Sequence, residues 1–427
     1  MKKTTYSTLN ETILSWQHPS GLKVFILPKK EYHKTYVTLS TPFGSNVTKL
    51  HCEKETIDLP EGIAHFMEHK LFDRNGEDLS AQFSKHSAQV NAYTMNNRTT
   101  YLFSCTDYLW ENIETLLDMV FFPVFSKEGV QKEQGIITQE ILMYQDDSVN
   151  KAYLGLLNQL FHTHPVRNDI LGSVDSIKSI TPSLLAKVHK IAYHPAKMTL
   201  FITGNADEGI ITKLEKFVID FSNETCKQIE NAEKEPDTIV KSHGETMMDV
   251  NIPDVLFGIK LPNIASSSTL ILRYELIGSL YLDSMLGKSS NAYQNLLKQG
   301  LINDDFGANI TIEKDYAFIL IGGQTMSADK LVQSLKQILL SENIVDYSKQ
   351  RFIQLKRAFI GRFVKSLNSL EFIANQYPKY HTKQHTLFDV ISITQSITLE
   401  DLIDFERLVK DKTHYSSFII KPKTATS

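Results

Sequence analysis

The chain is poor in cysteine, with three among its 427 residues. Cys52, Cys105 and Cys226 are odd in number and far apart, so no disulfide framework is implied, and no C-x-x-C spacing offers a thiolate metal site. A long apolar run is also missing. The most apolar stretch, Leu116 to Phe125, contains Asp118 and Pro123 and is too short to span a bilayer. Behind Lys2-Lys3, the polar residues from Thr4 to Glu11 supply no signal-peptide core. Charge of one sign is scarce too. A net charge of -4 gives no reason to expect nucleic acid or an acidic membrane as a partner. Neither a G-x-S-x-G elbow nor a phosphate-cradling glycine loop is present. These absences lead to the expectation of a soluble, cytoplasmic protein in a reducing setting.

What the chain does have is a globular composition, 42% hydrophobic and 22% charged, and enough length for two domains or more. Leu22, Val24 and Ile26, then Tyr36, Val37 and Leu39, alternate as two strands joined by a turn at Lys29-Lys30. Val90 to Thr94 and Thr100 to Ser104 are rich in aromatic and β-branched residues and read as two more strands. Met198 to Thr203 reads as another, ending at Gly204-Asn205. Helices are expected at Ser80–His86, Leu109–Val120 and Lys127–Asp147, and after the cap-like Ser179-Ile180-Thr181-Pro182.

Between the first strands and Ser80 lies Gly62-Ile63-Ala64-His65-Phe66-Met67-Glu68-His69-Lys70-Leu71-Phe72. Ile63, Phe66, Met67 and Leu71 make an apolar helical stripe, and Pro60 and Glu61 suit a first turn. On a helix, His65 and His69 stand one turn apart on one face, and Glu68 projects beside them. The order is H-x-x-E-H, the inverse of the commoner H-E-x-x-H of zinc hydrolases. In the later helix, Glu133, Ile137, Glu140 and Tyr144 share a face. Carboxylates on a partly apolar face are either simply solvated or meet a cation there, and a two-histidine metal site lacks a third ligand. Two imidazoles and one carboxylate would leave zinc an open position, where the pKa of a water falls toward about 7. Glu68 could then take the proton and deliver it to a leaving amine, chemistry suited to peptide bonds. His162 and His164 are expected to be loop or packing residues, and His381 and His385, with no carboxylate between them, to be structural.

The two halves of the chain echo each other. Ser179-Ile180-Thr181 resembles Ser396-Ile397-Thr398 at an offset of 217, and Phe201-Ile202-Thr203 meets Phe418-Ile419-Ile420 at the same offset. A duplicated α/β unit follows. The polar stretch around Ser222 to Glu245 is read as the linker, which gives a zinc-binding catalytic domain at 1–221, a linker at 222–245, and a homologous domain without a metal site at 246–427.

Gly62 to Phe72 closely resembles the active-site helix of the pitrilysin (insulinase) zinc peptidases. Glu133 to Glu140 resembles that family's downstream segment, in which two glutamates seven apart precede a hydrophobic pair. The resemblance implies one zinc ion held by His65, His69 and Glu140, with Glu68 as general base and Glu133 as a supporting acidic residue. Asn91-Ala92-Tyr93-Thr94 is similar to the family's substrate-binding edge strand, which implies β-strand addition of the substrate, with Tyr93 near the pocket beside the scissile bond. The likeness covers essentially the whole chain and is strongest to a short bacterial type. It implies an α+β fold of two homologous α/β domains, each an antiparallel sheet with helices packed on one face, together forming half of a clamshell peptidase.

One departure bears on partners. Self-sufficient members carry an arginine and a tyrosine seven apart around a Gly-Leu pair in the opposing half. Gly300-Leu301 is present here, but those positions hold Leu296 and Asn303. The expectation is a zinc metalloendopeptidase acting on short or unfolded peptides, as one half of a heterodimer with a metal-free homologous subunit that supplies the arginine and tyrosine. A homodimer is the less favoured assembly. The rival functions are a non-catalytic scaffold or binding subunit and, among peptidases, dedicated maturation of a leader, bacteriocin or signal peptide.

Overall fold

Alternating apolar residues in the first half of the chain build a mixed seven-stranded sheet. In the computed structural model, which describes residues 1–52, 55–221, 226–229, 234–262, 267–341, 345–382 and 385–423, its order is Lys2–Tyr6, Glu11–Gln17, Lys23–Pro28, Thr199–Gly204, Thr35–Thr41, Thr99–Cys105 and Ala88–Thr94. Val24, Ile26, Val37, Leu39, Tyr101, Phe103, Leu200 and Ile202 face one way, into a core shared with Ile63, Phe66 and Met67 of the motif helix. Burying these β-branched and aromatic side chains is the main force that fixes the register. On the opposite face, Phe201 stacks on Tyr377, with ring centroids 4.3 Å apart, and Thr38 Oγ1 donates to the Ala374 carbonyl at 3.3 Å. The strand Thr99–Cys105 is buried along its whole length, as expected of a strand covered on both faces.

A second sheet runs Gly244–Met248, Tyr415–Pro422, Asp254–Lys260, Ala317–Gln324 and Gly307–Ile312. Its order and strand directions repeat the last five strands of the first sheet, including one parallel pair in each, Lys23–Pro28 with Thr199–Gly204 and Gly244–Met248 with Tyr415–Pro422. The 217-residue echo is structural as well. Thr181 and Thr398 are both N-caps, and they open the helices Pro182–Ala192 and Leu399–Val409.

Packing groups the chain into two units. One is Met1–Ile141, Asn168–Ala232 and Ser366–Thr382, and the other is Leu142–Arg167, Glu233–Lys365 and Lys383–Ser427. The helix Leu370–Thr382 therefore packs on the first sheet, and Ser148–Leu160 on the second, where Leu156, Leu157 and Leu160 meet Phe318. Two details differ from the sequence expectation. Each sheet is mixed rather than wholly antiparallel, and helices flank both faces rather than one. Both differences arise from long-range pairing, which local periodicity does not report. For the same reason the strands at 23–28 and 35–41 are not a hairpin, since Thr199–Gly204 lies between them. A third of the expected linker, residues 222–225 and 230–233, lies outside the described residues, and Gly244–Met248 at its end is a strand.

Cys105 is a buried free thiol, but Cys52 is disulfide-bonded, a bond that sequence separation alone does not reveal. In the backbone ladder of Lys49–Cys52 with Cys226–Ile229, Cys226 stands opposite Cys52. Among the described residues no helix is long and apolar enough to cross a membrane.

Candidate metal centre

The motif helix spans Ile63–Phe72. Its start differs from the expected proline-and-acid first turn. Gly62 is the N-cap in a left-handed conformation with φ of 83°, and no acidic residue occupies the first turn. A Cβ at Gly62 would come within 2.3 Å of the Leu171 carbonyl oxygen, so glycine is required on two counts, conformation and close approach. Glu61 locks the same crossing, with its side chain accepting from Asn168 at 2.7 Å and its carbonyl from Ser176 Oγ at 2.8 Å. At the other end, buried Lys70 pairs with Asp73.

The second contributor is the helix Lys127–Gln145. Val130, Ile137 and Ile141 anchor it in the core of the first unit, which presents Glu133 and Glu140 to the motif helix. Glu140 Oε2 lies 3.8 Å from His65 Nε2 and 3.6 Å from His69 Nε2. The ligand atoms of His65, His69 and Glu140 all fall within 4.8 Å of one another. Glu140 Oε2 is buried without any hydrogen-bond partner. A buried carboxylate oxygen facing two imidazole nitrogens, with nothing to satisfy it, fits a divalent cation of the zinc type held by two N and one O ligands. His65 suits ligation, because burial, helped by neighbouring His69, pushes its pKa down to about 3 and keeps the ring neutral.

His69 is held differently. Burial alone would lower it, but the hydrogen bond and charge of Glu133, with Glu140 and Glu68 nearby, raise its pKa overall. Glu133, 6% exposed, places Oε1 3.0 Å from His69 Nδ1. Glu133 is thus outside the ligand cluster and acts on it through His69. His65 has no such anchor, since its Nδ1 is buried without a partner. Glu68 also stays outside the cluster. Its Oε2 accepts from Thr94 Oγ1 at 2.6 Å, and burial raises its pKa.

The stretch Asn91 to Thr94 lies on Ala88–Thr94, the edge of the first sheet. Strand alternation sends its side chains to opposite faces. Ala92 packs on the core beneath the motif helix, and Thr94 reaches Glu68. Tyr93, on the other face, donates its hydroxyl to Asn375 Oδ1 at 3.0 Å, and Asn91 Oδ1 accepts from the Ala92 backbone N–H at 2.8 Å. The Thr94–Glu68 bond is invisible in the sequence, because nothing local joins residues 26 apart. Two of the other histidines pack against aromatic rings. His164 is fully buried against Tyr316, at 4.6 Å between ring centroids, and His381 packs on Phe25 at 4.8 Å.

An inverted H-x-x-E-H helix, a glutamate from a second helix whose carboxylate meets both histidines, and an edge strand beside them are the features of a zinc metallopeptidase. The insulinase (peptidase family M16) model matches residues 54–174, and the M16 inactive-domain model matches 179–358. The chain is 38% identical to YmfH of Bacillus subtilis (strain 168), described as an uncharacterized zinc protease, over 94% of this chain and 95% of that protein. It also resembles the crystal structure of an M16-like peptidase from Alicyclobacillus acidocaldarius, at 30% identity and a TM-score of 0.90, covering 97% and 99% of the two chains. The chain belongs to the insulinase family, M16. Pitrilysin shares the fold at 15% identity and a TM-score of 0.73, with the alignment covering 98% of this chain and 46% of pitrilysin.

Proposed function

We propose that this zinc metalloendopeptidase uses His65, His69 and Glu140 as its metal ligands and Glu68 as its general base. The convergence of those three ligand atoms, around a buried and unsatisfied Glu140 oxygen, carries the reading. Zinc held there supplies Lewis-acid activation of the scissile carbonyl and of the attacking water. Glu68 takes the water's proton and returns it to the departing amine, a task suited to a carboxyl whose pKa burial raises above the ordinary value. Thr94 holds Glu68 in place, and Glu133 orients His69. The peptide adds as a strand to the free edge of Ala88–Thr94, with Tyr93 beside the scissile bond.

The chain is proposed to work as one half of a heterodimer. What supports this is the state of the two positions around Gly300-Leu301. Leu296 is a core residue, 2% exposed, and Asn303 uses its Oδ1 to accept from the Asp305 backbone N–H at 3.0 Å. Neither supplies a cation or a phenol to a substrate. The chain also aligns with less than half of pitrilysin. Peptide turnover should be measured with the zinc-loaded chain alone and with a homologous metal-free subunit added. Turnover should vanish with a chelator, return with zinc, and rise when the subunit is present. Full-rate cleavage by the chain alone would overturn the heterodimer, and no cleavage in any mixture would overturn the enzyme assignment.

A further inference from the structure

Beside the edge strand lies an arginine without a counter-ion. Arg98 ends the turn between Ala88–Thr94 and Thr99–Cys105 and is 7% exposed. Among the described residues its guanidinium makes no ion pair, and Nε is buried with no hydrogen-bond partner. It lies over the ring of Tyr93, with Cζ 5.9 Å from the centroid. Neighbouring polar groups are already engaged, Tyr93 Oη with Asn375 at 3.0 Å and Asn96 with Ser45 at 3.1 Å. The turn itself is firmly seated. It packs on Gly44, where a Cβ would come within 2.3 Å of the Met95 carbonyl oxygen and 2.6 Å of Arg98 N.

An arginine 7% exposed, with Nε cut off from water and no counter-ion, is costly to hold, and one aromatic face offsets only part of that cost. The arrangement becomes favourable when an anion arrives. The planar fork of arginine matches a carboxylate through two parallel hydrogen bonds. Location indicates which anion this is. Tyr93 is on the strand face away from Thr94 and Glu68, and a peptide laid along the edge directs every second side chain to that face.

We propose that Arg98, backed by the Tyr93 ring, is a specificity-determining residue that binds a carboxylate of the peptide substrate. The carboxylate is supplied by an Asp or Glu side chain or by the peptide's C-terminus. The inference rests on edge-strand binding of the peptide and adds a substrate class, acidic peptides, to it.

The test measures peptide binding by fluorescence anisotropy to the full-length, zinc-loaded chain carrying Glu68→Gln. One arm uses C-terminally amidated peptides in which Glu or Gln is walked along the sequence. The other compares free and amidated termini on a peptide without acidic residues. About tenfold tighter binding is expected for the carboxylate at one position or at the terminus. That preference should disappear with Arg98→Gln and reverse toward lysine-containing peptides with Arg98→Glu. Equal binding of both members in both arms would overturn the inference without any Arg98 variant having to fold. A preference that survived in a folded Arg98→Gln chain would overturn it too. Binding of no peptide at all would remove the edge-strand reading itself, whereas binding without charge preference removes only the role of Arg98.

Discussion

Glu133 Oε1 sits 3.0 Å from His69 Nδ1, which leaves His69 Nε2 directed at Glu140, 3.6 Å away. A carboxylate on the far nitrogen sets the tautomer and raises the basicity of the ligating nitrogen. His65 lacks an equivalent partner, so the site's outer shell is one-sided. Glu133→Ala should therefore weaken zinc binding about 10- to 100-fold. Competition with a chromophoric chelator reads this directly. Unchanged affinity would mean that packing alone orients His69.

Glu68→Gln separates chemistry from ligation. Glu68 lies outside the cluster of His65, His69 and Glu140, so the variant should still bind one zinc per chain. Hydrolysis should fall by about 10²- to 10⁴-fold, the usual contribution of a general base. Zinc content by atomic absorption and peptide turnover are the two readouts. Retained turnover would sink the mechanism.

Thr94→Val removes the hydroxyl that donates to Glu68 Oε2 at 2.6 Å. Burial raises the Glu68 pKa, and the Thr94 hydrogen bond works against it by stabilising the carboxylate. Without that bond the pKa rises further, so the base becomes protonated at a higher pH. The acid limb of kcat/KM should move upward in pH, with zinc affinity unchanged. An unmoved limb would show that the limb reports another group.

Some of these residues are legible in the amino-acid sequence and others are not, and the division follows sequence distance. His65, Glu68 and His69 lie within one turn and a bit of a single helix, so helical periodicity alone places them together. Glu133 and Glu140 fall on one face for the same reason, but only the family resemblance tells ligand from support. The approach of Glu140 to His65 and His69 and the Glu133 bridge to His69 require two helices to meet. The duplication is visible because capping is local chemistry, with Thr181 and Thr398 opening equivalent helices. The insertion of Thr199–Gly204 between the strands at 23–28 and 35–41, and the packing of Leu370–Thr382 on the first sheet, are not visible. Such pairings are decided by the global core, and Phe201 and Tyr377 carry no local mark of their stacking.

The second unit should show a distinct acid sensitivity. Glu235 accepts backbone N–H bonds from His162, Thr163 and His164, each at 2.8 Å, and pairs with Lys260 at 2.6 Å. Burial by itself raises this carboxyl, but the Lys260 and backbone hydrogen bonds outweigh it and pull the pKa from 4.5 to about 2. Between those values the unfolded chain binds a proton that the folded chain refuses. The contribution to stability is thus complete above the ordinary carboxylate pKa and is lost as pH falls through that window, by about 3 kcal/mol in all. Glu235→Gln should destabilise the protein at pH 7, because Lys260, 4% exposed, is left without its anion. The gap between variant and wild type in urea unfolding should then narrow steadily below about pH 4.5, as the Glu235 carboxyl of the unfolded wild-type chain takes up its proton while that of the folded chain stays ionised. A gap that stayed constant down to pH 2 would mean that Glu235 holds the loop at His162–His164 by shape rather than by charge.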